Sequence, residues 1–191
     1  MNKVLILIGA GGHCISVIDA IELQNEFTIK GILDSTKKVG EHILGYPILG
    51  DDDLIQGLND FNSYFLITVG QIKTAEVRIK ISNNLNNVKI ATIISPLAYV
   101  SKHAVIQEGT VVLSGATINA GAKIGKHSII NTQANIEHGV IIENFCHIST
   151  GAMINGDCVV KQGSFVGSNA TIVQGKIIEE NTIIGAGQFI K

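Results

Sequence analysis

The residues best suited to acid–base chemistry stand in one short stretch, Ile136-Glu137-His138-Gly139, with His147 nine residues further on and Asn131 seven residues before His138. Imidazole is the side chain whose proton affinity lies nearest neutral pH. His138 can therefore take a proton from an attacking amine or hydroxyl, and no cluster of histidines and carboxylates at metal-ligand spacing accompanies it, so no metal is expected. A second candidate opens the chain, where Gly9-Ala10-Gly11-Gly12-His13 joins the apolar run Lys3 to Ile8 to an amphipathic stretch carrying Ile15, Ile18, Ala20, Ile21 and Leu23. Strand, glycine turn and helix in that order let a phosphate or a uracil ring approach N–H groups at a helix N-terminus. Asp34 closes a strand from Phe27 to Leu33, and Gly70 closes another from Tyr64 to Val69. Both fall at carboxyl ends of an open sheet, where ligands bind and where an acceptor for a ribose hydroxyl is useful. By residue type alone each group also has a plainer reading: a tight βα turn lacking the third glycine of a dinucleotide fingerprint, and three solvated polar side chains.

The elements that must position these groups are written in the period of the sequence. From Val100 to Ile190 every sixth residue is valine or isoleucine, and the position before the last of most hexads is small, as in Ala104, Ala116, Ala122, Ala134, Ala152, Ser164 and Ala170. No α-helix or ordinary sheet has that period. A chain that coils with three hexads per turn stacks the large and small side chains into inward columns, each repeat burying a face that it cannot bury alone. The period predicts a parallel β-helix with three flat faces, about five coils at about 4.8 Å each, and a prism roughly 25 Å long. Cys146 and Cys158 occupy the small inward position and read as core fillers. His138 falls two places after an inward isoleucine, at or near a corner, and Gly139 is expected to leave room beside its ring. His42, His103 and His127 read as surface or packing residues.

The repeat leaves half of the 191 residues outside it, which predicts two domains: residues 1–94, an α/β Rossmann-like domain, and residues 95–191, the β-helix. Pro96 and the polar run from Ser82 to Asn87 bracket the junction, with a strand from Lys89 to Ile94 leading across it. A formal charge of −2 with 16% charged residues provides no basic stripe for nucleic acid and no polybasic surface for membranes. The opening apolar run is too short to span a bilayer and has no cleavage pattern after it, so a cytoplasmic location is expected. A nicotinamide reductase would explain the glycine turn and leave the solenoid without a role.

The combination Ile8-Gly9-Ala10-Gly11-Gly12-His13, Leu33-Asp34, Thr68-Val69-Gly70, Ile130-Asn131-Thr132, Ile136-Glu137-His138, His147-Ile148-Ser149 and Asn155-Gly156-Asp157 closely resembles the NeuD/PglD family of sialic acid and sugar-nucleotide acetyltransferases, over essentially the whole chain. The resemblance implies a left-handed hand for the β-helix, a homotrimer, and acetyl-CoA as co-substrate in the groove between neighbouring prisms. It implies His138 as general base beside Asn131 and Glu137. It places His147, Gly156, Gly167, Gly185 and Ala186 against acetyl-CoA, and Gly11, Gly12, His13, Asp34 and Gly70 against the sugar or nucleotide-sugar acceptor. The implied reaction is N-acetylation of a UDP-linked 4-amino sugar of a nonulosonic acid or related surface-glycan route. The alternatives are O-acetylation of sialic acid or its CMP form, and a non-catalytic nucleotide-binding scaffold. Two departures bear on the site. One branch of the family has an acidic residue after the catalytic histidine, where this chain has Gly139, leaving Glu137 as the nearest candidate to orient the ring. The sequence also stops at Gly187-Gln188-Phe189-Ile190-Lys191, before the tail that helps cover the cofactor, so a more open groove is expected.

Overall fold

The computed structural model describes residues 3–191. The N-terminal part builds one sheet from β1 (Lys3–Ile8), β2 (Phe27–Leu33), β3 (His42–Ile43), β4 (Tyr46–Gly50), β5 (Ser63–Ile67) and β6 (Lys89–Ile90), in the order β3-β4-β2-β1-β5-β6. All neighbours run parallel except the β3–β4 hairpin. β1 lies at the centre, and its Leu5, Ile6 and Leu7 are wholly buried, as a strand covered on both faces requires. Helix α1 (Gly12–Gln24) follows the glycine turn, and α2 (Ile55–Leu58) and α3 (Glu76–Asn83) lie in later connections. The third-glycine slot of the turn holds Cys14, whose side chain is buried and whose thiol is pushed up to about 11 by that burial. It packs the helix onto the sheet, and its sulfur has no exposed, acidified character that would make it a nucleophile.

The rest of the chain is the expected prism. Two-residue strands recur every six residues and pair in parallel with the strand 18 residues away, for example Val111↔Ile129, Thr117↔Asn135 and Lys123↔Ile141. They form a first face running from Ile93–Ile94 to Ile183–Ile184, a second from Tyr99–Val100 to Phe189–Ile190 and a third from Val105–Ile106 to Ile177–Ile178. The inward columns Ile118, Ile136, Ile154 and Ile172, interleaved with Ala116, Ala134, Ala152 and Ala170, have no exposed surface at all. A second six-residue period lies at the corners: φ is positive at every sixth position from Gly109 to Gly187. Glycine, asparagine or aspartate takes most of these corners, as the left-handed conformation favours, while His127 (φ 53°), Gln133 (φ 58°) and Phe145 (φ 55°) occupy three of them. His127 and Phe145 stack on each other with ring centroids 5.1 Å apart, packing gained on consecutive coils at the same edge.

The strand anticipated from Lys89 to Ile94 divides in two. Lys89–Ile90 completes the first sheet beside β5, whereas Ile93–Ile94 is already the first rung of the prism, paired with Val111–Val112. The N-terminal sheet and helix α1 are docked on the first face. Its outward residues Ile93, Val111 and Ile129 are fully buried, and Ile93, Val111 and Leu113 share one apolar cluster with Leu5, Val17 and Ile21. Among the described residues no helix is long and apolar enough to cross a membrane.

Candidate functional site

Two cavities meet at Gly70. The first, of about 460 Å³, lies at the carboxyl ends of β1, β2 and β5 and is lined by Gly9, Gly11, Leu33, Asp34, Val69 and Gly70 on the sheet side, with Lys80 of α3 and Asn84 just after it opposite. The second, of about 720 Å³, opens between the domains and is lined by Gly12, His13, Gly70, Asn131, Thr132 and His147, among others. The five residues expected on the acceptor side are thus brought together: Gly11 and Asp34 in the first cavity, Gly12 and His13 in the second, and Gly70 in both. Gly9 and Gly70 answer to close approach, whereas Gly11 and Gly12 have open space beside them. A Cβ on Gly9 would collide with Val69, and one on Gly70 would press on His13 Cβ at 3.3 Å. Gly11 caps α1 without a side chain to satisfy the first N–H groups, leaving the helix N-terminus open to an anion.

Asp34 is more heavily engaged than a simple ribose acceptor. Its Oδ2 accepts from Ala10 N (2.7 Å), and its Oδ1 accepts from the Thr36 backbone (2.8 Å) and hydroxyl (2.6 Å). Burial pushes its carboxyl up, but the Thr36 hydroxyl and the surrounding backbone N–H groups outweigh that and hold it below the usual carboxylate range. The carboxylate therefore fixes the glycine turn, with lone pairs of Oδ2 left to face the cavity.

His147 and Asn131 form one unit. His147 is an outward residue of the first face, yet the N-terminal domain covers it, leaving 7% of its surface exposed. Its Nδ1 donates to the Gln71 carbonyl, which fixes the tautomer, and its Nε2 accepts from Asn131 Nδ2 at 3.0 Å. Gln71 in turn donates from Nε2 to the carbonyls of Phe145 (2.9 Å) and Gly163 (3.2 Å). Burial, opposed by the Gln71 carbonyl and reinforced by Arg78, holds His147 down at about 4. The ring expected against acetyl-CoA thus has both nitrogens occupied within the chain. His13 lies 6.3 Å away, centroid to centroid, its Nε2 buried without a partner and its imidazole pushed down to about 3 by burial and by Arg78.

His138 stands elsewhere. Asn131 belongs to the edge between the first and second faces, whereas the His138-Gly139 turn forms the next edge, between the second and third. The two do not converge within one chain. The ring lies directly on the next coil, where a Cβ at Gly156 would come within 2.5 Å of Cε1 and 2.6 Å of Nε2. Beside it, Asp157 Oδ1 is 3.8 Å from Nδ1, with both side chains about 60% exposed (60% and 59%). Glu137, expected to orient the histidine, is held away by Asn135 Nδ2 (3.0 Å) and Asn119 Nδ2 (3.1 Å) on the second face. The carboxylate at the ring belongs to Asp157, which sequence reasoning missed. Its position 18 residues beyond Gly139, one full coil, is the signal that could have found it. Gly139 takes φ +68° at the corner, and a Cβ there would collide with Asp157 Oδ1. Gly167 and Gly185-Ala186 stack on the Asn131 edge, where a Cβ at Gly167 would meet Ala186 N at 2.6 Å.

Residues 4–85 match the family model for the PglD N-terminal domain. The acetyltransferase domain of PglB from Neisseria gonorrhoeae, solved in complex with acetyl coenzyme A, superposes with a TM-score of 0.91 at 29% identity, covering 100% of this chain and 93% of that one. PerB from Caulobacter crescentus, solved with CoA and GDP-perosamine, gives a TM-score of 0.91 at 29% identity, covering 98% of this chain and 88% of that one. An uncharacterized protein, L142, of Acanthamoeba polyphaga mimivirus is 41% identical over 107 residues, which is 56% of this chain. The match spans only 20% of that longer curated relative. The resemblance to NeuD/PglD-type proteins and the fold that it implies, a Rossmann-like α/β domain followed by a left-handed parallel β-helix, are both borne out.

Proposed function

We propose that this chain, which carries a PglD N-terminal domain and shares the whole NeuD/PglD-type architecture, is an acetyl-CoA-dependent N-acetyltransferase whose acceptor is a nucleotide-linked 4-amino sugar. The observation that carries the reading is His138, set on Gly156 with the Asp157 carboxylate beside Nδ1 and 60% of its side chain exposed. With Nδ1–H turned to Asp157, Nε2 keeps the lone pair. His138 takes the amine proton as the nitrogen forms its bond to the thioester carbonyl carbon. The C–S bond then breaks, and the proton passes to the departing thiolate, so no covalent enzyme intermediate is needed. Asp157 stabilises the imidazolium while the proton resides there.

The acceptor's nucleotide is assigned to the first cavity and its sugar to the second, joined at Gly70. His138 then belongs with the cavity of a neighbouring copy, because within one chain it stands on a different edge. The faces flanking His138 support a homotrimer: Tyr99, Met153 and Phe189 on the second and Val105, Ile141 and Ile177 on the third are large apolar side chains left substantially exposed, ready to be covered by a neighbour. Acetyl-CoA is assigned to that inter-prism groove, with backbone at Gly156, Gly167, Gly185 and Ala186 as its contacts. A nonulosonic acid or related surface-glycan precursor is the proposed sugar class. The location proposed is the cytoplasm.

Release of CoA thiol from acetyl-CoA should be followed with UDP- and GDP-linked 4-amino sugars, and with sialic acid and its CMP form as O-acceptors. Turnover with a nucleotide-linked amino sugar, abolished in His138→Ala, is the expected result. Turnover confined to the sialic acids would establish O-acetylation, and no turnover with any acceptor would leave the scaffold reading.

A further inference from the structure

The most heavily buried charge in the molecule belongs to no group discussed as substrate-binding. Arg78, on α3, is 1% exposed, and among the described residues no carboxylate lies within 4.0 Å of its guanidinium. One terminal nitrogen donates to the Val69 carbonyl and the other to the His127 carbonyl at 2.6 Å, so the side chain ties the end of β5 to a corner of the prism. Its Nε has no partner. A buried cation without a counter-ion is costly, and apolar residues of the same volume would pack such a junction at less cost. Its retention calls for an anion that the chain itself does not supply.

The position of the charge says which anion. The carbonyl that Arg78 holds belongs to the Val69–Gly70 peptide, and in a trans peptide the N–H points opposite to the C=O. The Gly70 N–H accordingly faces away from the guanidinium and donates to no group of the chain among the described residues. Gly70 is the one residue that lines both cavities, the passage through which an acceptor spanning them must run. Among the described residues Lys80 is the only lysine or arginine on either lining, and it belongs to the first cavity. The second cavity carries histidines instead, and His13 and His147 are both pressed toward neutrality in part by Arg78, so its field reaches that space.

Resting on the acceptor assignment above, we infer that Arg78 is a positioning residue for the acceptor's diphosphate: its buried charge, relayed through the Val69–Gly70 peptide, supplies the cation at the passage between the two cavities.

Calorimetric titration of the full chain with GDP and UDP, set against guanosine and uridine, separates this role from a merely structural one. In folded Arg78→Met or Arg78→Gln, the nucleoside diphosphates should bind at least tenfold more weakly while the nucleosides bind as before. Arg78→Lys, which keeps the charge, should restore most of the difference. If Arg78→Met does not fold, the Gln and Lys variants make the same comparison. Equal losses for nucleoside and diphosphate, or unchanged diphosphate affinity in a neutral variant, would overturn the inference. Binding of neither diphosphate by the wild-type chain would bring down the acceptor assignment itself.

Discussion

Gly156→Ala isolates the geometry of the proposed base from everything else in the prism. Gly156 does not take a positive φ, so alanine meets no backbone strain there. The added Cβ would stand 2.5 Å from His138 Cε1 and 2.6 Å from Nε2, where ordinary contact begins near 3.4 Å, so the ring must move by about 1 Å. The ring is 60% exposed and free to swing outward, so the melting temperature should barely change. The cost falls on alignment instead. A misplacement of about 1 Å between reacting groups lowers a rate by roughly 10²-fold, or about 2.7 kcal/mol in the barrier. By comparison, losing the Asp157 charge 3.8 Å away removes about 1 kcal/mol in a water-like dielectric, roughly fivefold, so displacement and not electrostatics should dominate. The assay is steady-state release of CoA thiol at saturating acceptor, with thermal unfolding measured on the same preparation. A Gly156→Ala protein that melts as wild type and keeps kcat within threefold would refute the placement of His138 as the base.

His138→Ala should lower kcat by roughly 10²–10⁴ with little change in acceptor KM, because a positioned base acts in the transition state; initial-rate kinetics check it. Asp157→Asn keeps a residue type that tolerates its φ of 59° and should lower kcat only about fivefold at unchanged stability, read from the same kinetics and a melting curve. Ile136→Asp places a charge in a column with no exposed surface and should abolish cooperative folding, at a cost of several kcal/mol; circular dichroism decides. His13, His127 and His147 are held down at about 3, 4 and 4, so the unfolded chain binds protons that the folded chain refuses. Stability should be full above about pH 6.5 and be lost as pH falls from there toward 4, by up to about 1.4 kcal/mol per unit for each histidine. Urea unfolding across that range tests the sign, and His147→Asn should flatten the slope.

The prism was legible because its two constraints are local. An inward Val or Ile every six residues, from Val100 to Ile190, is demanded by burial, and a residue able to take positive φ at each corner is demanded by the turn. The N-terminal half was legible for a related reason: Gly9 and Gly70 answer to close packing against Val69 and His13, which few residue types satisfy. What failed was neighbourhood across coils. Glu137 is adjacent to His138 in sequence, but on a β-helix the true neighbour of position 139 is position 157, one coil away. The acidic residue that another branch places after the histidine is delivered here from the next rung. Arg78 was not legible at all, since a single arginine in an amphipathic helix gives no sign that both its carbonyl partners will close over it.

The histidines show how far position within the repeat determines chemistry. Three of the four on the prism, His127, His138 and His147, differ sharply: one stacks in a corner, one is open and one is sealed. His127 takes the corner position itself, where its ring turns onto Phe145 of the next coil. His138 takes the place before a glycine corner, where its ring lies over Gly156 with Asp157 beside it and most of the side chain exposed. His147 lies mid-face, and a mid-face residue would be solvated on a bare prism. Here α1 and the Gln71 loop cover that face, so the ring can keep only a neutral, doubly engaged form. Docking of the N-terminal domain therefore does two things at once. It removes His147 from the pool of proton acceptors, and it leaves His138, the proposed base, on an uncovered edge. A mutation that loosens the junction, at Gln71 or Arg78, should consequently return His147 to titration near neutral pH, a change that histidine-selective NMR titration can resolve.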